Sequence, residues 1–169
     1  MKKIFAIITV ASVLLFTSCE KRDYPAGLEE MEHHYYAIFV PNNNTNVVVQ
    51  RTQTELLKFP VQFYSNFTRG YDAVGKYVLT TAAYEPAAAV RGVDFEIVDR
   101  NGNVLPSSDT TYTLVFPQAK KVVDTIYVKL LNNPAPGTRK MELRMIENQT
   151  DQFYVDIFST ACRRPVEIR

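Results

Sequence analysis

Few side chains in this chain of 169 residues are suited to catalysis or to metal binding. Its 2 histidines are neighbours, His33 and His34, and its 2 cysteines are Cys19 and Cys162. Adjacent residues of a strand point to opposite faces of a sheet, so the histidine pair would not chelate one metal ion there. A Ser-His-Asp triad would have to use His33 or His34 as its base. Both lie next to a polar segment, which offers no rigid third residue to orient the imidazole. The sequence also holds no phosphate-binding loop and no dinucleotide-binding glycine pattern.

Cys19 follows a segment that is typical of secretion signals. Two lysines stand at its start, and the stretch 4–16 is apolar apart from one threonine and one serine. Such a run is too short to cross a hydrocarbon core of about 30 Å as a helix. A basic start, a short apolar run and small residues before a cleavage point predict a signal peptide over residues 1–18.

The residues Phe16-Thr17-Ser18-Cys19 resemble the lipobox of bacterial lipoproteins. In that family the cysteine thiol is acylated with diacylglycerol, and cleavage makes this cysteine the first residue. The resemblance implies lipidation of Cys19 and anchoring to a membrane by acyl chains, at about 0.8 kcal/mol per buried CH₂. We expect residues 19–33 to form a lipidated tether that anchors the protein to the outer membrane of the cell envelope. Both the periplasmic side and the cell-surface side of that membrane stay open as its location.

Charge and composition exclude two further classes of protein. The formal charge of +1 falls to about −1 once the two signal lysines are removed, which gives no electrostatic footprint for nucleic acid. Ten Phe and 10 Tyr exclude a disordered chain.

With Cys19 lipidated, Cys162 has no disulfide partner within the chain and His and Cys cannot assemble a zinc site. We therefore interpret Cys162 as a small, partly buried residue.

From His34 onward the sequence consists of short β-rich runs separated by turn residues. One face of the third run carries Leu57, Phe59, Val61 and Phe63, and Pro60 within it predicts an edge strand or a bulge. Ten runs are predicted to be strands: 34–40, 46–51, 55–65, 75–84, 94–99, 111–116, 122–131, 139–147, 153–159 and 164–169. Strands at this spacing, without helical periodicity, predict an all-β sandwich or barrel over residues 34–169.

The second half of the chain carries more specific motifs. They are Ala89, Gly92, Asp94 and Phe95, then Phe116-Pro117, Ile126, Val128, Asn132-Asn133, and Glu142-Leu143. Their order resembles the Calx-β type of immunoglobulin-like sandwich over residues 77–158. It is also similar to that of Bacteroidetes surface lipoproteins of unknown function. The resemblance implies an immunoglobulin-like antiparallel β-sandwich.

These motif residues are also expected to have structural roles. Gly92 permits a positive φ, Asp94 bonds backbone amides in its turn, and Phe116 fills the core before Pro117 ends the strand.

Calcium-binding Calx-β domains present a carboxylate cluster in their end loops, because Ca²⁺ takes six to eight oxygen ligands. The corresponding turn, 132–137, has no carboxylate. We expect no metal and no cofactor.

One loop is the best candidate for ligand binding. Residues 64–72 combine Tyr64, Asn66, Phe67, Arg69 and Tyr71. Tyrosine stacks on sugar rings or anchors a protein interface, although most tyrosines of the first half are interpreted as half-buried strand residues.

The leading hypothesis is a non-catalytic, lipid-anchored module that binds a glycan or a protein. The second is a structural adhesin or pilus-type subunit that assembles by β-strand addition. The third is a glycoside hydrolase, which needs only two carboxylates in a cleft, and a small sandwich offers no evident cleft.

Overall fold

The computed structural model describes residues 33–65, 69–108, 110–118, 121–157 and 161–169. The predicted signal peptide, Cys19 and nearly all of the predicted tether lie outside the described residues, as do Asn66 and Phe67 of the candidate loop. Residues His34–Arg169 form one compact unit.

Each of the ten predicted runs overlaps a β-strand of the structure. The run 75–84 ends as a strand at Thr80 and continues into a 3₁₀ turn, Ala82–Tyr84. The two-residue strand β9 was not predicted. The strands are β1 His34–Phe39, β2 Val47–Val49, β3 Leu57–Tyr64, β4 Ala73–Thr80, β5 Phe95–Val98, β6 Tyr112–Phe116, β7 Lys121–Leu130, β8 Arg139–Ile146, β9 Asn148–Gln149, β10 Tyr154–Ile157 and β11 Arg163–Ile168.

The strands form two sheets, which confirms the all-β sandwich. The six-stranded sheet has the order β5-β7-β3-β1-β10-β9, and the five-stranded sheet has the order β2-β11-β8-β4-β6. A purely antiparallel arrangement is wrong, because β1 pairs with β10 and β2 pairs with β11 in parallel. The first two strands of the sandwich run alongside its last two. Strand direction depends on that non-local pairing, which local alternation does not encode.

The core lies between the sheets and follows the period-2 alternation of their strands. In β3 the buried residues are Leu57, Phe59, Val61 and Phe63, as predicted. Phe63 stacks on Phe116 of the opposite sheet, with ring centroids 4.7 Å apart. Both side chains are fully buried, and each contributes about 1.5–3 kcal/mol through burial.

Pro60 does not mark an edge strand. It lies in β3, which has β7 on one side and β1 on the other. The Pro60 carbonyl accepts a hydrogen bond from the N–H of Val40, one residue beyond the end of β1. In an antiparallel pair the N and C=O of one residue point to the same neighbour. The missing N–H of Pro60 therefore faces Val40, just beyond the end of β1, and is turned away from β7.

The motif turns have the predicted chemistry. Gly92 has φ +79° and Gly102, in the Asn101-Gly102 turn, has φ +86°. Asp94 accepts hydrogen bonds from the Val90 N–H at 2.7 Å and from the Asn133 amide at 2.7 Å. The Asp94 carboxylate thus ties the turn before β5 to the turn after β7.

Glu142 is a buried charged residue on the outer face of β8. It points away from the core, yet only 1% of it is exposed. Its carboxylate accepts hydrogen bonds from Arg163 at 2.6 Å and from Arg144 at 2.8 Å. Burial alone would raise the pKa of Glu142, but the hydrogen bonds and charges of the two arginines outweigh it and lower the pKa.

Gly75 on the inner face of β4 gives a test of the packing between the sheets. A Cβ at this position would lie 2.9 Å from Cε2 of Phe116, whose ring is held by Phe63. We expect Gly75→Ala to lower the free energy of unfolding by about 1–3 kcal/mol through overpacking, measured by urea denaturation. Gly70→Ala is the matched control, because no atom of the described residues lies within 4 Å of the added Cβ. Equal stability of the two variants would contradict this packing.

Candidate functional site

An aromatic surface lies on the outer face of the six-stranded sheet. Because side chains alternate along a strand, burying Tyr35, Ala37 and Phe39 of β1 turns His34 and Tyr36 outward. The antiparallel register with β3 places Tyr64 opposite Tyr36. The parallel register with β10 places Tyr154 beside His34. We call Tyr154, His34, Tyr36 and Tyr64 the aromatic stripe.

Three rings of the stripe, those of Tyr154, His34 and Tyr36, are stacked in series on β10 and β1. The His34 ring lies 4.7 Å from the Tyr154 ring and 5.2 Å from the Tyr36 ring, centroid to centroid, at interplanar angles of 30° and 26°. At Tyr36, 38% of the residue is exposed, and at Tyr64 55% is exposed. The stripe is therefore half-buried at its Tyr154 end and open to solvent at its Tyr64 end.

A carboxylate fixes the orientation of His34. Nε2 of His34 donates to Oδ2 of Asp156 at 3.0 Å, and the other carboxylate oxygen accepts the Ile157 N–H at 2.7 Å. Partial burial would raise the pKa of Asp156, but the hydrogen bonds from His34, Ile157 and Tyr154 outweigh it and lower the pKa. Loss of solvation, and then a hydrogen bond to Glu147, raises the pKa of Tyr154 to about 12. Tyr154 is thus a neutral phenol at physiological pH.

A shallow cavity of about 210 Å³ opens at the exposed end of the stripe. Its lining residues are Tyr36, Ile38, Asn42, Gln62 and Tyr64. The tyrosine rings and Ile38 give apolar surface, while Asn42 and Gln62 give amide donors and acceptors. Apolar walls with a few polar groups are the usual composition of a small-ligand site.

The structure brings only one residue of the predicted loop to this surface, Tyr64. Arg69 is 2% exposed, and its guanidinium donates to the Pro117 carbonyl at 2.8 Å. The same group lies over the Phe63 ring, 4.5 Å from its centroid. Arg69 therefore lies in the core, where it has a packing role.

Tyr71 is half-buried and also packs inside. Its hydroxyl bonds the Tyr35 hydroxyl at 2.8 Å, and its ring stacks on Phe153 at 5.7 Å. The predicted ligand-binding set stays a prediction; it consists of Tyr64, Asn66, Phe67, Arg69 and Tyr71. Among the members that the structure describes, Tyr64 alone lies on an open surface.

Sequence reasoning missed His34 and Tyr154 as members of a surface site. His34 was considered as a metal ligand or a catalytic base, whereas it is the first residue of β1 and is bonded to Asp156. The alternation of β1 already puts His34 and Tyr36 on one face. Only the pairing of β1 with β10, more than 100 residues later, adds Tyr154 and Asp156.

A metal-binding cluster and a membrane-spanning helix are both absent from the described residues. No three His, Cys, Asp or Glu side chains lie close enough to share a metal ion in the ranges that the structure describes. Among the same ranges, no helix has the length and apolar character needed to cross a bilayer.

Comparisons with known proteins give likenesses of fold shape at low identity. No family model and no curated protein matches the sequence. The apo-form Calx CBD1 domain is similar with a TM-score of 0.49 and 12% identity, over 80% of this chain and 97% of that one. A proposed carbohydrate-binding protein of Bacteroides ovatus has a TM-score of 0.40 and 9% identity, over 79% of this chain and 36% of that one. A type I cohesin–dockerin complex from Clostridium thermocellum has a TM-score of 0.37 and 11% identity, over 80% and 99%.

The pairing of His34 with Asp156 predicts a pH-dependent contribution to stability. The pKa of Asp156 is lower in the folded state than in the unfolded state. The ionised carboxylate therefore stabilises the fold above its unfolded-state pKa, and this stabilisation is lost as the pH falls through its folded-state pKa. We expect Asp156→Asn to cost about 0.5–1 kcal/mol at pH 7, measured by urea denaturation. The difference from the unchanged chain should shrink between about pH 5 and about pH 2. A difference that stays constant over that range would contradict the pairing.

Proposed function

We propose that this protein is a non-catalytic binding module of the cell envelope that recognises a glycan through the aromatic stripe. The observation that carries the proposal is the series of stacked rings from Tyr154 to the exposed Tyr36, with the exposed Tyr64 opposite Tyr36 on β3. Neighbouring strands lie about 4.8 Å apart, so a stripe across three strands is roughly 10–15 Å long. That length suits a short oligosaccharide lying across the strands.

The chemistry of the surface favours a sugar as its ligand. Tyrosine offers an apolar ring face with a polar hydroxyl at its tip, which matches the apolar faces and hydroxyl rims of a pyranose. The amides of Asn42 and Gln62, at the side of the cavity, both donate and accept hydrogen bonds and so suit sugar hydroxyls. The cavity of about 210 Å³ is shallow and holds part of a chain of sugars. A protein partner that uses the two tyrosines as anchors is the alternative outcome of the test.

Anchoring through Cys19 is part of the same proposal and is supported by the sequence alone. The residues 16–19 match the lipobox order, and the polar stretch up to residue 33 precedes the first strand at His34. A lipid at Cys19 followed by a polar tether would hold the sandwich near a membrane surface, where a module for glycan capture meets its ligand.

A glycan array with the full-length chain in neutral detergent tests the recognition. We expect the double variant Tyr36→Ala, Tyr64→Ala to bind the selected glycan at least 5-fold more weakly, since each lost stacking contact costs about 0.5–1.5 kcal/mol. Titration calorimetry with the glycan from the array gives the dissociation constants.

Tyr127→Ala is the matched control for the stripe. Tyr127 is a half-buried tyrosine of the same sheet that lies outside the stripe, on β7 opposite Lys58. It should leave the affinity within 2-fold. The proposal is wrong if the array gives no ligand while pull-down gives a protein partner, or if the double variant binds as tightly as the control.

Metabolic labelling with an alkyne fatty acid tests the anchor. We expect the chain to carry the label and Cys19→Ser to lose it, because the thiol is the acylated group. Cys162→Ala is the control: its thiol is buried, and the label should remain. Labelling that persists in Cys19→Ser, or disappears in Cys162→Ala, would contradict lipidation at Cys19.

A further inference from the structure

Arg164 places a cation inside one end of the sandwich. It shares the inner face of β11 with Val166 and Ile168, and only 3% of it is exposed. Nη1 donates to Oδ1 of Asn43 and Nη2 donates to the Pro41 carbonyl, both at 2.7 Å. The guanidinium carbon lies 5.3 Å from the centroid of the Phe39 ring.

The partners of Arg164 in the structure carry no negative charge. Both hydrogen-bond acceptors are neutral carbonyl oxygens, and the ion pairs found within the described ranges do not include Arg164. Loss of solvation lowers the pKa of Arg164, with no opposing contribution from a carboxylate. An arginine nevertheless keeps its charge at physiological pH, and a buried charge is costly unless it is paired. By contrast, the buried Glu142 is bonded to two arginines.

A cavity of about 300 Å³ opens beside this cation. Its charged lining residues are Arg164 and Lys58, both positive, and no carboxylate of the described residues lines it. Loop 41–46 adds the amide and hydroxyl groups of Asn43, Thr45 and Asn46. The remaining wall is apolar and consists of Val40, Pro41, Val47, Phe59 and Pro60.

We propose that this cavity binds a small organic monocarboxylate, with its carboxylate on Arg164 and its carbon body against the apolar wall. A guanidinium presents five N–H donors in a planar fork that matches a carboxylate, so donors remain after the two bonds to Asn43 and Pro41. Lys58 at the open side adds a second positive charge. The site is separate from the aromatic stripe, since the two cavities share no lining residue.

The mostly apolar wall selects a carboxylate over phosphate or sulfate. Inorganic oxyanions have no carbon body to place against Val40, Val47 and Phe59, and they lose strong hydration when they leave water. An organic carboxylate needs ionic contacts at one end only and gains from apolar burial at the other. The volume of about 300 Å³ matches a ligand with the size of one sugar acid or one amino-acid residue.

Amide NMR of the full-length chain in neutral detergent tests the proposal with defined probes. The probes are butyrate and glucuronate, their uncharged counterparts butyramide and glucose, and inorganic phosphate and sulfate. We expect saturable shifts of the Asn43, Thr45 and Val47 amide signals with the two carboxylates. The uncharged counterparts should give no saturable shift, and phosphate and sulfate should bind more weakly than either carboxylate.

Variants separate the cation from general salt effects. Arg164→Gln should weaken carboxylate binding at least 10-fold, and Lys58→Met, at an exposed residue, should weaken it about 2- to 5-fold. Lys129→Met is the matched control, because Lys129 is an exposed strand lysine that does not line the cavity. If Arg164→Gln does not fold, Lys58→Met and the probe series still decide.

The proposal is wrong if butyramide shifts the same signals to the same extent, if sulfate binds more tightly than butyrate, or if Lys58→Met and Lys129→Met behave alike. It also fails if Arg164→Gln folds and retains the affinity. None of these readouts depends on a glycan bound at Tyr36 and Tyr64, so this proposal and the aromatic stripe fail or hold independently.

Discussion

The position of β1 inside the six-stranded sheet is the constraint on which the rest of the structure depends. One face of this six-residue strand supplies Tyr35, Ala37 and Phe39 to the core, and the other supplies His34 and Tyr36 to the aromatic stripe. Its end leads into the loop whose Pro41 and Asn43 hold Arg164. A shift of one residue in its register would exchange the two faces. It would bury His34 and Tyr36 and expose Phe39, so the core and the candidate site share one register.

Arginines donate hydrogen bonds to backbone carbonyls at strand ends and in turns of the sandwich. Arg69 bonds the carbonyls of Phe116 and Pro117 just where β6 ends, and Arg164 bonds that of Pro41 just after β1. Arg91 bonds the Leu105 carbonyl at 2.6 Å, and Arg51 bonds three carbonyls of the turn 133–137. Buried backbone acceptors need donors, and a long side chain with five N–H groups reaches several of them at once. Three of these cations also lie over aromatic core rings: Arg69 over Phe63, Arg91 over Tyr112 and Arg164 over Phe39.

Sequence reasoning succeeded where the information was local and failed where it was not. Alternation is encoded within each strand, so the inner residues of β3 were predicted correctly. The turn chemistry of Asp94 and Gly92 is equally local. Pro60 was misjudged because its tolerance depends on where β1 ends. The burial of Glu142 depends on Arg163, which is 21 residues away.

The candidate site shows the same division. Tyr64 was identified from its own loop, but the surface to which it belongs needs β10, whose Asp156 bonds His34 across 122 residues of sequence. Arg69 was assigned to ligand binding because a charged residue near glycine and tyrosine suggests a loop surface. Its guanidinium instead bonds the carbonyls of Phe116 and Pro117 at the end of β6. These carbonyls come within reach of Arg69 only after the sheets have formed.

The stiffness of the aromatic stripe argues that it is built for recognition. Its rings belong to three hydrogen-bonded strands, and His34 is further held by Asp156 and by stacking on both sides. A binding surface pays an entropic cost when loose side chains are immobilised by a ligand, about 0.5–1.5 kcal/mol for each. Most of that ordering is already complete for His34 and Tyr154 before any ligand arrives, and Tyr36 is ordered by its stacking on His34. The more exposed Tyr64 keeps the freedom to adjust, so the stripe combines a fixed platform with one adaptable end.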